Sequence, residues 1–193
     1  MFIETPASKK SLAFRKPVFG RGIIDVNYVT HTKQGTCPYF IRWRNIFDRC
    51  YNEKRTARNL SYVDCEVCEG WYSFKSFRDW MEKQDWEGKH IDKDIINPKS
   101  KIYSPENCIF IDPKLNMFLS NLHKYKGYQE RRGKFAVQMT VNGKNNHLGT
   151  FLTKEEAIFC YKENKRKLIQ DWADKCKYDK RLYDALIRLK DSL

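Results

Sequence analysis

Long apolar runs are missing from this chain of 193 residues, and so are the cues for export. No stretch approaches the roughly 18 apolar residues that span a bilayer. The N-terminal MFIETPASKK has no hydrophobic signal-peptide core. Proline and glycine are few, at six and nine, and no internal repeat or low-complexity segment appears. Acidic residues are outnumbered: 24 Asp and Glu face 37 Lys and Arg, a formal charge of +13 at pH 7. A basic excess of this size usually signals a polyanionic partner, nucleic acid being the commonest. A solvated basic surface gives the same total, so placement must decide. The seven cysteines are odd in number and do not follow a secreted disulfide spacing; in a reducing cytosol they are free thiols or metal ligands. A soluble, cytoplasmic protein is expected, with no membrane partner.

What is present is enough apolar material for a core, at 41% hydrophobic and 15% aromatic residues, in one or two small domains. Residues 1–36 carry scattered Lys and Arg and little periodicity, and read as an extended basic arm that tracks a phosphate backbone or stays disordered. From Pro38 the pattern turns helical, with Phe40, Trp43, Ile46, Phe47 and Cys50 on one face and Arg42, Arg44 and Arg49 largely on the others. Tyr62 to Val67 is compatible with a strand. Trp71, Phe74, Phe77, Trp80 and Met81 form a second helical stripe, better suited to a core than to ligand binding.

The stretch His90 to Asn116 organises the rest. It opens with an alternation, His90-Ile91-Asp92-Lys93-Asp94-Ile95. A loop with Pro98, Ser100 and Pro105 follows, then Asn107, a strand-like run Cys108 to Ile111, and a helical stripe through Leu115, Phe118 and Leu122. Phosphodiester hydrolysis needs an activated water, charge stabilisation on the departing oxygen, and placement of both. A hard divalent cation, Mg2+ or Mn2+, takes carboxylate and amide oxygens, and Asp92 and Asn116 are the ligands this order supplies. Asn107 closes the loop; His90 and Lys93 are the groups available to polarise water or touch the phosphate. Taken singly, these are a turn asparagine and surface carboxylates. Cys65-Glu66-Val67-Cys68 is half of a zinc site without a second pair, so structural zinc is not expected.

After the charge-rich segment from Lys124 to Gly133, a domain boundary, strict alternation in Phe135 to Val141 marks a half-buried strand. Asn142-Gly143 is a hairpin turn signal, and Thr153 with Glu156 forms a capping box before a long helix. With the apolar positions inward, Lys134, Gln138, Thr140 and Asn142 face outward, with Arg131, Arg132, Lys144 and His147 nearby. Arg and Lys suit phosphates or guanine edges, and amides suit adenine. A last helix covers Lys180 to Leu189.

Residues 38–122 resemble the HNH homing-type endonucleases of bacteriophages. The resemblance rests on Asp48-Arg49-Cys50-Tyr51-Asn52, on Val67-Cys68-Glu69-Gly70-Trp71 with Phe74 and Phe77, on Asp92-Lys93-Asp94, and on Tyr103-Ser104-Pro105-Glu106-Asn107-Cys108. It implies a ββα-metal fold, a magnesium-type cation and nicking or cleavage of double-stranded DNA. One departure stands out: Lys93 occupies the place where that family has its base histidine. By strand parity His90 and Lys93 point to opposite faces. Residues of about 124–177, with Leu148-Gly149-Thr150-Phe151 and Thr153-Lys154-Glu155-Glu156-Ala157, resemble the DNA-binding domain of plant Apetala-type ethylene-response factors, a three-stranded sheet backed by one helix.

The expected architecture is therefore α+β. A basic arm (1–36) leads into an HNH-like domain with flanking helices (37–123), followed by a small antiparallel sheet on a helix with a C-terminal helix (124–193). The expected activity is that of a phage-type DNA endonuclease, in the cytoplasm of a bacterial host where the chain is phage-encoded. The alternative is a catalytically degenerate relative that binds DNA or inhibits another protein. A monomer is favoured.

Overall fold

The computed structural model describes residues 2–122, 127–141 and 143–193. The expected boundary at 123–124 and the candidate Asn142 lie outside the described residues. The fold is α+β, and it divides into two compact units, Met1–Phe110 and Ile111–Leu193.

The first unit begins with α1 (Lys9–Ala13), a two-stranded ribbon of β1 (His31–Thr32) and β2 (Gly35–Thr36), and the long helix α2 (Pro38–Tyr51). Residues 2–36 are folded, in contrast to the extended arm read from their composition. The Arg15 guanidinium donates to the carbonyls of Ile24, Val26 and Tyr28. The backbone N–H groups of Ala7 and Val29 donate to the carbonyls of Asn27 and Thr5 at 2.8 and 2.9 Å. Val26 and Tyr28 are buried, so the segment contributes to the core instead of trailing from it.

Pro38 opens α2 where its missing N–H costs nothing. The aromatic stripe behaves as its spacing predicts: Trp43, Ile46 and Phe47 are buried, and the Trp43 indole donates to the Trp71 carbonyl at 2.7 Å. Gly22 lies flat on this cluster; a Cβ there would come within 2.7 Å of the Trp43 ring. After α3 (Glu53–Arg58) and a short 3-10 turn comes β3 (Glu66–Val67). A second 3-10 turn leads into α4 (Phe74–Met81), which buries Phe74, Phe77 and Met81. Each such side chain removed from water is worth about 1.5–3 kcal/mol, so the α2–α4 aromatic core is the main stabiliser of this unit.

Two short ribbons sit on this core. β3 pairs in parallel with β5 (Ile102–Tyr103), and β4 (His90–Asp92) pairs with β6 (Ile109–Ile111). The Tyr62–Val67 strand is thus shortened to its last two residues, and its partner lies far along the chain.

The second unit holds α5 (Pro113–Asn121), the sheet β7 (Gln129–Arg131), β8 (Lys134–Val141) and β9 (Lys144–Phe151), and helices α6 (Lys154–Lys175) and α7 (Lys180–Asp191). The sheet is antiparallel in the order β7-β8-β9. Its inner face, Val137 and Met139, packs against Ala157 and Tyr161 of α6. Lys165 of α6 is only 7% exposed; its ammonium donates to the Leu122 carbonyl just past α5 and lies 4.4 Å from the Tyr161 ring centre. Without a carboxylate to offset it, burial lowers the Lys165 pKa. Among the described residues no helix is long and apolar enough to cross a membrane.

Candidate active site and nucleic-acid interface

The strand β4 ends at Asp92 because the chain turns there. Asp92 Oδ1 accepts from the backbone N–H groups of Asp94 and Ile95 at 2.9 and 2.8 Å, an Asx turn that replaces the strand ladder. Asp92 is half-buried. Burial pushes its carboxyl above the usual carboxylate range, with the two amide donors pulling the other way. His90, two residues earlier on β4, is exposed, and Ile91 between them is buried. The alternation of a strand therefore puts His90 and Asp92 on one face.

Lys93, one residue beyond the strand, continues the alternation: it is buried like Ile91, opposite the exposed His90. It is 4% exposed. Its Nζ donates to Asp94 Oδ1 at 2.5 Å and to the Ser100 carbonyl at 3.1 Å, and lies 5.7 Å from the Tyr103 ring centre. Its charge is spent inside the loop. Asn107 binds the same loop from the other end: its Nδ2 donates to Ser100 Oγ at 2.9 Å and to the Ile102 carbonyl at 3.1 Å. Lys93 and Asn107 thus converge on Ser100 and hold the 93–102 backbone in place. Asn116 lies in the opening of α5, where Asp112 caps the helix by accepting from Lys114 N–H at 2.7 Å. It falls in the second compact unit, whereas Asp92, His90, Lys93 and Asn107 fall in the first.

Sequence reasoning missed Arg49. Its place in α2 assigned it largely to the outer faces, yet the side chain is half-buried and lies 5.9 Å from the Tyr62 ring centre. Burial opposes its charge, but Tyr103, Tyr62 and Asp92 together hold its pKa above the ordinary arginine value. The available signal was the Arg-Cys-Tyr-Asn run at the end of α2, which carries no orientation by itself.

In the second unit the register of the sheet assigns the outward face. Arg131 stands opposite Lys134, Ala136 opposite Thr150, Gln138 opposite His147, and Thr140 opposite Asn145. Lys134, Gln138, Thr140 and His147 are exposed, as are Arg131 and Arg132. A register shift between Val137 and Gln138 leaves Leu148 as an extra residue on β9. That bulge resets the alternation, so His147 and Asn145 share a face with Thr150 despite their odd spacing. Asn145, absent from the sequence-derived set, donates to Gln138 Oε1 at 2.9 Å. Lys144 pairs with Val141 and so belongs to the hairpin tip, exposed but off the face by register. Arg132 and Gly133 turn the chain from β7 to β8, both with positive φ, 51° and 71°.

Among the described residues no three His, Cys, Asp or Glu side chains form a group suited to a metal ion; a cation at Asp92 would draw on amide oxygens as well. All seven cysteines are free thiols. No protein-family model, curated protein or solved structure matches this chain.

Proposed function

We propose that the chain is a metal-dependent DNA endonuclease of the HNH type, with the β7–β8–β9 face gripping the duplex. The observation that carries this reading is Asp92: a half-buried carboxylate at a strand end, fixed by two amide donors and sharing its strand face with an exposed histidine. A carboxylate whose burial raises its pKa gains most from a neighbouring divalent charge, and its hard oxygens suit Mg2+ or Mn2+. Asn116, in the first turn of α5, belongs to the other compact unit and is given no part in this site. The bound cation supplies charge stabilisation for the departing 3′ oxygen.

The chain's own groups do the rest. His90 takes the proton from the attacking water, as the exposed imidazole on the Asp92 face. Lys93, buried and engaged, acts as a positioning residue instead, together with Asn107. The net charge of +13 and the exposed Arg131, Lys134 and amide groups of the sheet favour a duplex partner. Incubation with supercoiled plasmid and Mg2+ or Mn2+ tests the reading: nicking is expected, and its absence with both metals despite DNA binding would refute it. That negative outcome defines the second reading, a DNA-binding relative without activity, which the sequestered Lys93 favours.

A further inference from the structure

Arg15 and Arg78, both half-buried, spend their donors on the protein. Arg15 has three carbonyl acceptors, and Arg78 bonds Glu4 and Glu82 at 2.7 Å each. Arg49 differs. Its Nε is buried and has no hydrogen-bond partner, the single such side-chain atom among the described residues. Its guanidinium lies 5.9 Å from the Tyr62 ring centre, and Tyr103 acts on its charge from the other neighbouring ring. Neither is an anion, and the Nε donor is one the fold does not use. Its position links it to the loop: Tyr103 and Asp92 both act on its charge, and the Tyr103 ring also lies under the Lys93 ammonium, next in sequence to Asp92. An arginine fork of this kind matches the paired oxygens of a phosphate.

We propose that Arg49 is an anion-binding residue that presents its guanidinium to a non-bridging oxygen of the phosphodiester taken at the Asp92 loop. This rests on the nuclease reading for the identity of the phosphodiester, and on the Arg49 geometry for the binding. Tyr103 steers the guanidinium, and the α2 terminus supplies a rigid base, so the phosphate meets a group already in place. The substrate thereby gains a phosphate contact within the first unit, independent of the sheet.

The full chain, wild type and with Arg49→Gln or Arg49→Lys, is titrated with the dinucleotide dTpT in the absence of metal and followed by backbone-amide NMR. Wild type is expected to show shifts at Arg49, Lys93 and Tyr103. Arg49→Gln weakens the affinity by about tenfold or more and removes those shifts, and Arg49→Lys falls between, as loss of a charge-assisted fork predicts. Thermal melts accompany each variant; if Arg49→Gln lowers the melting point, the comparison passes to Arg49→Lys, which keeps the charge and loses the fork. Unchanged dTpT affinity in both variants, or no shifts around Tyr103 in wild type, overturns the proposal. Plasmid nicking separates the two claims. Normal nicking by the Arg49 variants with loss in Asp92→Ala leaves the nuclease and removes Arg49; Arg49-dependent dTpT binding by a wild type that never nicks does the reverse.

Discussion

At the end of β4 and of α2, Asp92, Lys93 and Arg49 turn their ionic groups inward, whereas on the β7–β8–β9 face such groups stand in water. Asp92 is half-buried and bound by two amides, Lys93 is closed over by Asp94 and Ser100, and Arg49 keeps an enclosed Nε. Across the sheet, Lys134, Gln138, Thr140 and His147 are all exposed. Desolvation strengthens every charge interaction and fixes geometry, which chemistry on a single bond requires. Recognition of a long polyanion asks instead for many reachable donors, each contributing little. The two regions thus divide the proposed work, and variants that separate them are the way to break the comparison.

The largest effect is expected for Asp92→Ala, which should lower metal-dependent nicking by about 100- to 1000-fold, the scale of losing one charge-stabilising group. Duplex affinity should be retained; a fall in affinity instead would mean that the loop and sheet are not separable. Next, His90→Ala should slow single-turnover nicking by roughly 100-fold, in the usual range for a proton-transfer group. Lys93→Met, which keeps the stem and drops an ammonium already spent on Asp94 and Ser100, should cost less than His90→Ala. The reverse order would return Lys93 to the chemistry. On the sheet, Arg131→Gln with Lys134→Gln should weaken duplex binding and reduce the slope of log affinity against log salt by about 2, roughly one unit for each phosphate no longer neutralised. An unchanged slope would remove the face from the interface.

The smallest effect concerns pH. Since burial raises the folded-state pKa of Asp92 above its unfolded value, the native state holds that proton more tightly. Stability therefore falls as pH rises through the window between the two values, and stays lower above it. Asp92→Asn, which keeps the Oδ1 acceptor, should melt higher than wild type at neutral pH, and the gap should narrow on acidification. A gap independent of pH would show that the carboxylate is not desolvated.

Local grammar made the second unit legible. The alternation in Phe135 to Val141 and the reciprocal Thr153–Glu156 cap, at 3.3 Å in both directions, depend on neighbours within a few residues, and the strand and helix formed where those signals stood. The α2 stripe was equally readable. The loop around Asp92 was legible in residue type and in the side its first residues take: parity placed Lys93 opposite His90, and Lys93 is buried where His90 is exposed. The Lys93 partners, Asp94 and the Ser100 carbonyl, depend on how the chain turns after Asp92, which alternation does not specify. The parallel β3–β5 pairing joins Glu66 to Ile102, which no short period announces. Arg15 and Arg49 are long basic side chains whose direction depends on distant carbonyls and rings, so composition assigned both to the surface.

The Lys165 ammonium on the Leu122 carbonyl has a consequence for dissection of the chain. Gly127 abuts Tyr161 so closely that an added Cβ would fall 2.3 Å from the ring, and thus Leu122 and Gly127 are each fastened to the same stretch of α6. A fragment cut between them, where charge and glycine mark an obvious seam, would strip α5 of its anchor and leave its carbonyl end bare. Modular exchange of the sheet with α6 for another domain would carry the same liability, because α5 belongs to the same compact unit, whose division from the first falls between Phe110 and Ile111.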